Sequence, residues 1–252
     1  MIMPAVFVGH GNPMNAILDN DYRRAWTSLG EKLPKPKAIL CVSAHWESRG
    51  CAVTASERPE TIHDFGGFPQ ALFDVRYRAP GSPALARRVA ELLPKVNQDE
   101  QWGLDHGSWS VLVAMYPKAD IPVVQLSLDT SKGGGHHLEL ARKLAPLREE
   151  GVLVMGSGNI VHNLPLFSFR PKPAYDWAAR FDEKVKELIE AEDHGALADY
   201  EGLGPDARMS IPSPEHYFPL LYALGVRRKG EKVAFFNEAV ESSISMTSVV
   251  VG

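Results

Sequence analysis

Runs of continuous apolar, β-branched residues alternate along the chain with stretches whose apolar positions recur at helical spacing. The runs predict strands at Ala5–Val8, Ala38–Ser43, Cys51–Thr54, Pro122–Leu128 and Val152–Met155. Hydrophobicity in Ala38–Val42, Val123–Leu128 and Val152–Met155 is continuous rather than alternating, the mark of strands covered on both faces. Helices are expected between them. Ser82-Pro83 followed by Ala-Leu-Ala-Arg-Arg-Val-Ala-Glu-Leu-Leu reads as an N-cap, a proline in the first turn and an amphipathic helix. His137–Glu149, Tyr175–Glu192 and Pro214–Leu224 have helical spacing too. Strands alternating with helices predict an α/β fold with a largely parallel or mixed central sheet flanked by helices. No shift in composition divides the chain, so residues 1–252 are expected to form a single domain. The segment Glu57–Pro80 follows neither period and carries Gly66-Gly67 and Pro69. A long loop in a compact domain is usually functional.

Composition narrows the function. The chain has 252 residues, 44% hydrophobic and 23% charged, with a net charge of −4. That is enough apolar surface for a sizeable core, which excludes a disordered, collagen-like or disulfide-scaffold protein. The balance gives no basic footprint for nucleic acid. Two cysteines, Cys41 and Cys51, make no disulfide framework, and Cys41 in its apolar run reads as a small buried hydrophobe. A reduced, intracellular setting follows. The start of the chain has no basic segment before Arg23, and no run approaches the roughly 18 apolar residues of a membrane span. A cytoplasmic protein without membrane or nucleic-acid partners is expected.

The nine histidines carry the chemistry. His10 follows the first predicted strand in Gly-His-Gly-Asn-Pro, and His45 follows the second in Ser-Ala-His-Trp. His162 comes shortly after Val152–Met155, in Gly-Ser-Gly-Asn-Ile-Val-His-Asn. Ligands of open α/β sheets bind beyond the carboxyl ends of the strands, so these three should converge on one edge. His106 occupies a glycine-containing turn, Asp-His-Gly-Ser-Trp, and His216 the expected first turn of a helix, Pro-Glu-His-Tyr. A single histidine after a strand is usually a structural residue; five beside glycines at such places point to a site. His63 could line it from the long loop, or Asp64 could simply cap a turn there. His136, His137 and His194 read as surface residues on helix ends. A cluster of neutral imidazoles with few carboxylates suits zinc or iron(II) rather than magnesium or calcium. No His-Glu-x-x-His or Cys-x-x-Cys spacing is present, so the ligands must come from distant segments. Ser157 lacks the flanking glycines of a nucleophile elbow, and neither Gly-x-Gly completes a dinucleotide pattern. Trp46, Trp109 and Phe68 could wall an aromatic pocket, although tryptophan is commoner in the core.

Six motifs occur in order: Gly-His-Gly-Asn-Pro, Ser-Ala-His-Trp, His-Asp-Phe-Gly-Gly-Phe-Pro, Asp-His-Gly-Ser-Trp, Gly-Ser-Gly-Asn-x-x-His-Asn-Leu and Pro-Glu-His-Tyr. Together they resemble the class III extradiol ring-cleavage dioxygenases, which include the catalytic subunit of protocatechuate 4,5-dioxygenase, and within them the 4,5-DOPA extradiol branch. The resemblance spans essentially the whole chain. It implies a single α/β domain with one mononuclear divalent metal, iron(II) for activity and often zinc as isolated. By the same resemblance, His10, His45 and His216 match metal ligands. His162 matches the histidine beside the metal, described in this branch both as a ligand and as the acid–base residue. His106 matches the second active-site histidine. The wider superfamily uses two histidines and a glutamate; here His216 takes the third place, with Glu215 adjacent. The implied reaction is extradiol cleavage of a DOPA-like catechol by O2, with His162 taking a phenolic proton and His106 donating one. His63, Phe68 and Trp46 are expected to contact the substrate, and Arg76 and Arg78 are candidates to hold a substrate carboxylate. A zinc hydrolase, or a metal-binding protein without activity, are the other readings.

Overall fold

The structure is a computed structural model that describes residues 2–93, 95–170 and 172–252. Its strands are β1 (Ala5–Gly9), β2 (Ala38–Ser48), β3 (Cys51–Thr54), β4 (Val96–Asp99), β5 (Val123–Asp129), β6 (Val152–Gly158), β7 (Val233–Phe236), β8 (Val240–Glu241), β9 (Ile244–Ser245) and β10 (Ser248–Val251). Eight of them form one sheet in the order β4-β3-β5-β2-β6-β1-β10-β7, and β8 and β9 pair separately. The centre, β5-β2-β6-β1, is parallel; β10 and β7 close one side antiparallel, and β3 meets β5 antiparallel on the other. The expected α/β architecture is therefore present, with a mixed sheet.

Side-chain alternation explains the continuous hydrophobicity of the central strands. Leu40, Val42, Val124, Leu126, Val152 and Val154 enter one apolar layer, under the helices Pro83–Leu92, Gly134–Lys143, Asp176–Glu190 and Phe218–Gly225. Ile39, Cys41, Val123, Leu153 and Met155 enter the other, under Asp21–Lys32 and His106–Met115. A strand packed on both faces has no polar side to show. Cys41 and Cys51 are buried and unpaired.

Four expectations are corrected. The stretch expected as one helix over His137–Glu149 breaks at Leu144, and Pro146 opens a separate short turn; a proline cannot continue the preceding ladder. The last long helix starts at Phe218, not Pro214, which leaves His216 in a turn before it. His137, read as a surface residue, is fully buried. Its ring lies on Phe218, centroids 4.4 Å apart, and Nδ1 meets the Tyr222 hydroxyl at 3.0 Å. Finally, β4, β7 and β10 had no counterpart among the expected strands. Each has only four residues, and β4 (Val-Asn-Gln-Asp) lies polar on the sheet edge, so no apolar run announces it.

Candidate metal centre

The carboxyl ends of β1, β6 and β2 lie side by side. His10 follows β1, and its amide donates to the Gly158 carbonyl at 3.1 Å, which continues the ladder one step beyond the strand. His45 sits where β2 loses register: Val42 pairs with Leu126 and Glu47 with Leu128, so five residues of β2 advance against two of β5. Such an irregularity bends the strand and re-aims its side chains. His45 turns to the histidine cluster, while Trp46 stacks on Trp102 at 5.4 Å between centroids.

His106 opens its helix, whose N-cap is Asp105. The Asp105 carboxylate accepts from the Ser108 amide at 3.2 Å, Ser43 Oγ at 2.6 Å and Gln125 Nε2 at 2.6 Å. One buried acid thereby ties the helix start to β2 and β5. Burial and the charge of Asp64 push its carboxyl up, against the pull of those donors. His162 lies past β6; its amide donates to the Ser210 carbonyl at 2.9 Å, and it bridges to Ile244. His216 reaches the cluster because its turn docks on β6, where the Asn159 amide donates to the His216 carbonyl at 2.8 Å. A Cβ at Gly158 would come within 2.0 Å of that carbonyl oxygen, so only glycine permits the approach.

The five histidines form one cluster. His10 Nε2 and His45 Nε2 are 3.1 Å apart, and one ring nitrogen each from His10, His45 and His216 lie within 4.8 Å of one another. His162 stacks on His216 at 3.5 Å, with the planes 6° apart, and the His106 ring is 3.8 Å from His45 and 5.6 Å from His10. Hydrogen bonds fix which nitrogen faces inward. Ser157 Oγ donates to the Gly107 carbonyl, so it accepts from His10 Nδ1 at 3.0 Å. Glu215 Oε1 accepts from His216 Nδ1 at 3.1 Å, and Asp64 Oδ2 faces His45 Nδ1 at 3.5 Å. With Nδ1 protonated in His10 and His216, Nε2 carries the lone pair in those rings, and the Asp64 charge beside His45 Nδ1 favours the same tautomer there.

Burial first, and then the neighbouring imidazoles, hold His10 and His216 well below the usual histidine range. Burial likewise pushes His45 down to about 3 and His162 to about 4. Near neutral pH these rings are uncharged. Two neutral Nε2 lone pairs 3.1 Å apart repel unless a cation or a proton lies between them. An all-nitrogen donor set of this kind fits a borderline divalent metal such as zinc or iron(II).

Two carboxylates support the cluster. Asp64, from the long loop, accepts from His106 Nδ1 through Oδ2 at 2.8 Å and from the His106 amide through Oδ1 at 2.9 Å. Burial raises its carboxyl, but the bonds and charge of His106 outweigh that and leave it below the usual range. Glu215 also accepts from Ser213 Oγ, at 3.0 Å. Sequence reasoning treated Asp64 only as a turn cap, weighed Ser157 only as a nucleophile, and passed over Asp105 and Phe65, whose ring meets His106 edge-on at 5.4 Å. The available signal was Asp64-Phe65 inside the third motif.

The expected substrate contacts are not all brought to the cluster. Phe68 packs edge-on against Phe65 at 5.3 Å, one layer behind His106. Trp46 is 4% exposed and faces Trp102. His63 turns Nε2 to the Val75 carbonyl at 3.1 Å. It lines, with Arg76 and Arg78, a cavity of about 690 Å³ whose walls contain none of the five clustered histidines.

Known proteins place this arrangement in context. A family model for the catalytic LigB subunit of aromatic ring-opening dioxygenase matches residues 5–251. The chain is 52% identical to the 4,5-DOPA dioxygenase extradiol of Escherichia coli (strain K12), covering 99% of this chain and 95% of that one. It is 40% identical to the 4,5-DOPA dioxygenase extradiol of Beta vulgaris, over 96% and 94% of the two chains. A crystal structure of an uncharacterized protein from Escherichia coli K12 superposes with a TM-score of 0.87 at 46% identity, covering 99% of this chain and 100% of the other. With the family pattern matched from the first strand to the last, the chain belongs to the LigB family of aromatic ring-opening dioxygenases and is an extradiol ring-opening enzyme, an oxidoreductase.

Proposed function

We propose that this enzyme opens the ring of a catechol bearing an amino-acid-like side chain, as in DOPA, with iron(II) held by His10, His45 and His216 and with residues 1–252 acting as one catalytic domain. The observation that carries the reading is the convergence of one ring nitrogen each from His10, His45 and His216 within 4.8 Å of one another, with Nδ1 of His10, His45 and His216 facing Ser157, Asp64 and Glu215, beside two further histidines. Iron(II) held there would supply the redox chemistry that lets catechol and dioxygen react. The chain's residues supply orientation and protons. His162, neutral and stacked on His216, takes the second phenolic proton of the catechol. His106, with Nδ1–H held by Asp64, can take the first phenolic proton on Nε2, as an imidazolium that the carboxylate stabilises, and give it back as the ring opens. Phe65, edge-on to His106, is placed to meet an aromatic ring, and Phe68 backs it. Arg76 and Arg78 are left out of the substrate contacts, because their cavity excludes the cluster.

The all-histidine donor set also favours a second reading, zinc held at the same three residues and hydrolytic chemistry. A panel of catechol, DOPA, dopamine and protocatechuate on an oxygen electrode separates the two. Oxygen uptake with the iron(II) form, strongest for DOPA, supports the proposal. Uptake with no catechol, and ester hydrolysis by the zinc form, supports the alternative. A vicinal diol should be required, since one phenolic oxygen cannot chelate.

A further inference from the structure

His106 is the one histidine of the cluster whose ring is joined to a carboxylate of the long loop by a short hydrogen bond, and helix capping does not explain that bond. The helix His106–Met115 already has its N-cap in Asp105, which takes the Ser108 amide. Asp64 Oδ1 takes the His106 amide, one further free donor of the first turn. Oδ2 is not needed for that purpose. It lies 2.8 Å from His106 Nδ1 and 3.5 Å from His45 Nδ1. A carboxylate can only accept, so it fixes the proton of His106 on Nδ1 and leaves Nε2 as the reactive nitrogen.

We infer that Asp64 is a positioning residue for ring opening: it sets the tautomer and orientation of His106, and so ties the long loop to proton transfer in the site. The inference rests on the extradiol reading above and on the role given there to His106. Around the carboxylate, Phe65 shields His106 from one side, and the Asp64 side chain is only 18% exposed, so water competes little for the bond. Asp64→Asn is close to isosteric. It keeps an oxygen for the His106 amide but turns an NH2 group to the ring, which reverses the tautomer.

The test compares Asp64→Asn, His106→Ala and the double variant. Iron content, kcat and KM are measured on each, and the Nδ1–H proton of His106 is followed by NMR on metal-free, 15N-histidine-labelled protein. The expected result, read per bound iron at saturating iron(II), is a loss of roughly 10²–10⁴ in kcat for Asp64→Asn, the range of general acid–base catalysis, with KM kept; iron affinity falls too, because the same carboxylate faces His45 Nδ1 at 3.5 Å. The downfield Nδ1–H signal is present in the wild type and lost in Asp64→Asn. Within the His106→Ala background, Asp64→Asn causes no further loss. A signal that survives in Asp64→Asn, an equal loss of kcat in the His106→Ala background, or a kcat per bound iron equal to that of the wild type would each overturn the inference. A wild-type protein that opens no catechol ring yet shows a signal abolished by Asp64→Asn would refute the extradiol reading instead and leave the Asp64–His106 bond standing.

Discussion

The site is decided at the level of single nitrogens. Hydrogen bonds from Nδ1 to Ser157 and Glu215 orient His10 and His216, and the Asp64 carboxylate faces His45 Nδ1 at 3.5 Å. Ser157→Ala removes the acceptor for His10 Nδ1 and should weaken metal binding by about 10–100-fold, as losses behind a ligand commonly do, with the fold intact; competition against a chelator measures it, and an unchanged affinity would mean that Ser157 does not orient His10. Replacing His10 itself by alanine should abolish stoichiometric metal, whereas His106→Ala should keep the metal and cut turnover by roughly 10²–10⁴. Metal analysis beside turnover decides, and metal lost from His106→Ala would make His106 a ligand. At this scale the sequence was informative where a histidine ended a strand. It was silent on partners, because Ser157 and Asp64 act across 147 and 42 residues of chain. His63 and Asp64 are neighbours in sequence, and nothing local says that the acid, not the histidine, turns to the site.

Elements carry these residues to one place by close backbone approach. The loss of register in β2 aims His45, and the glycines of β6 admit the turn that holds His216. Gly158→Ala should therefore act beyond its own volume. Its Cβ would clash with the His216 carbonyl, and overpacking of this kind costs about 1–3 kcal/mol. Denaturant unfolding should show that loss, and metal analysis should show the His216 turn displaced; full metal content with lowered stability would separate packing from the site. The strand end that holds His10 was legible from its hydrophobic run, whereas His45, expected just past a strand ending at Ser43, lies inside β2, which runs on to Ser48 beyond its break in register. The place of His216 was not, since it belongs to a turn with no period, and only the motif resemblance pointed to it. His137 was misplaced for a related reason. Its helix is amphipathic, and a polar residue on the inner face looks like one on the outer face until Tyr222 and Phe218 are packed beside it.

For the molecule as a whole, burying neutral histidines makes stability depend on pH. Burial holds His137 and His162 down to about 4 and His45 to about 3, against an ordinary value near 6.5. Above about 6.5 both folded and unfolded chains leave these rings neutral, and they add no slope. Below it the unfolded chain binds protons that the folded chain refuses, so stability falls as pH drops from about 6.5 towards 4. Urea unfolding of the metal-free protein between pH 8 and pH 4 should show a plateau followed by that fall. Bound metal should deepen the fall, because protons then compete for the ligands. A flat profile across the window would mean that the rings titrate normally and are not buried neutral. The α/β class and the burial of the central strands on both faces were readable from the runs; the order of the strands was not. The four-residue strands β4, β7 and β10 were missed, and β4, being polar on the sheet edge, carries no apolar run to mark it.

The central claim is that this histidine cluster, loaded with iron(II), inserts both atoms of dioxygen into a catechol. Single turnover under 18O2 with DOPA, followed by mass spectrometry of the product, tests it most directly. The account predicts one ring-opened product heavier than the substrate by both labelled oxygens, formed by the wild type and lost in His10→Ala. A product without label, or with no ring opened, would contradict it.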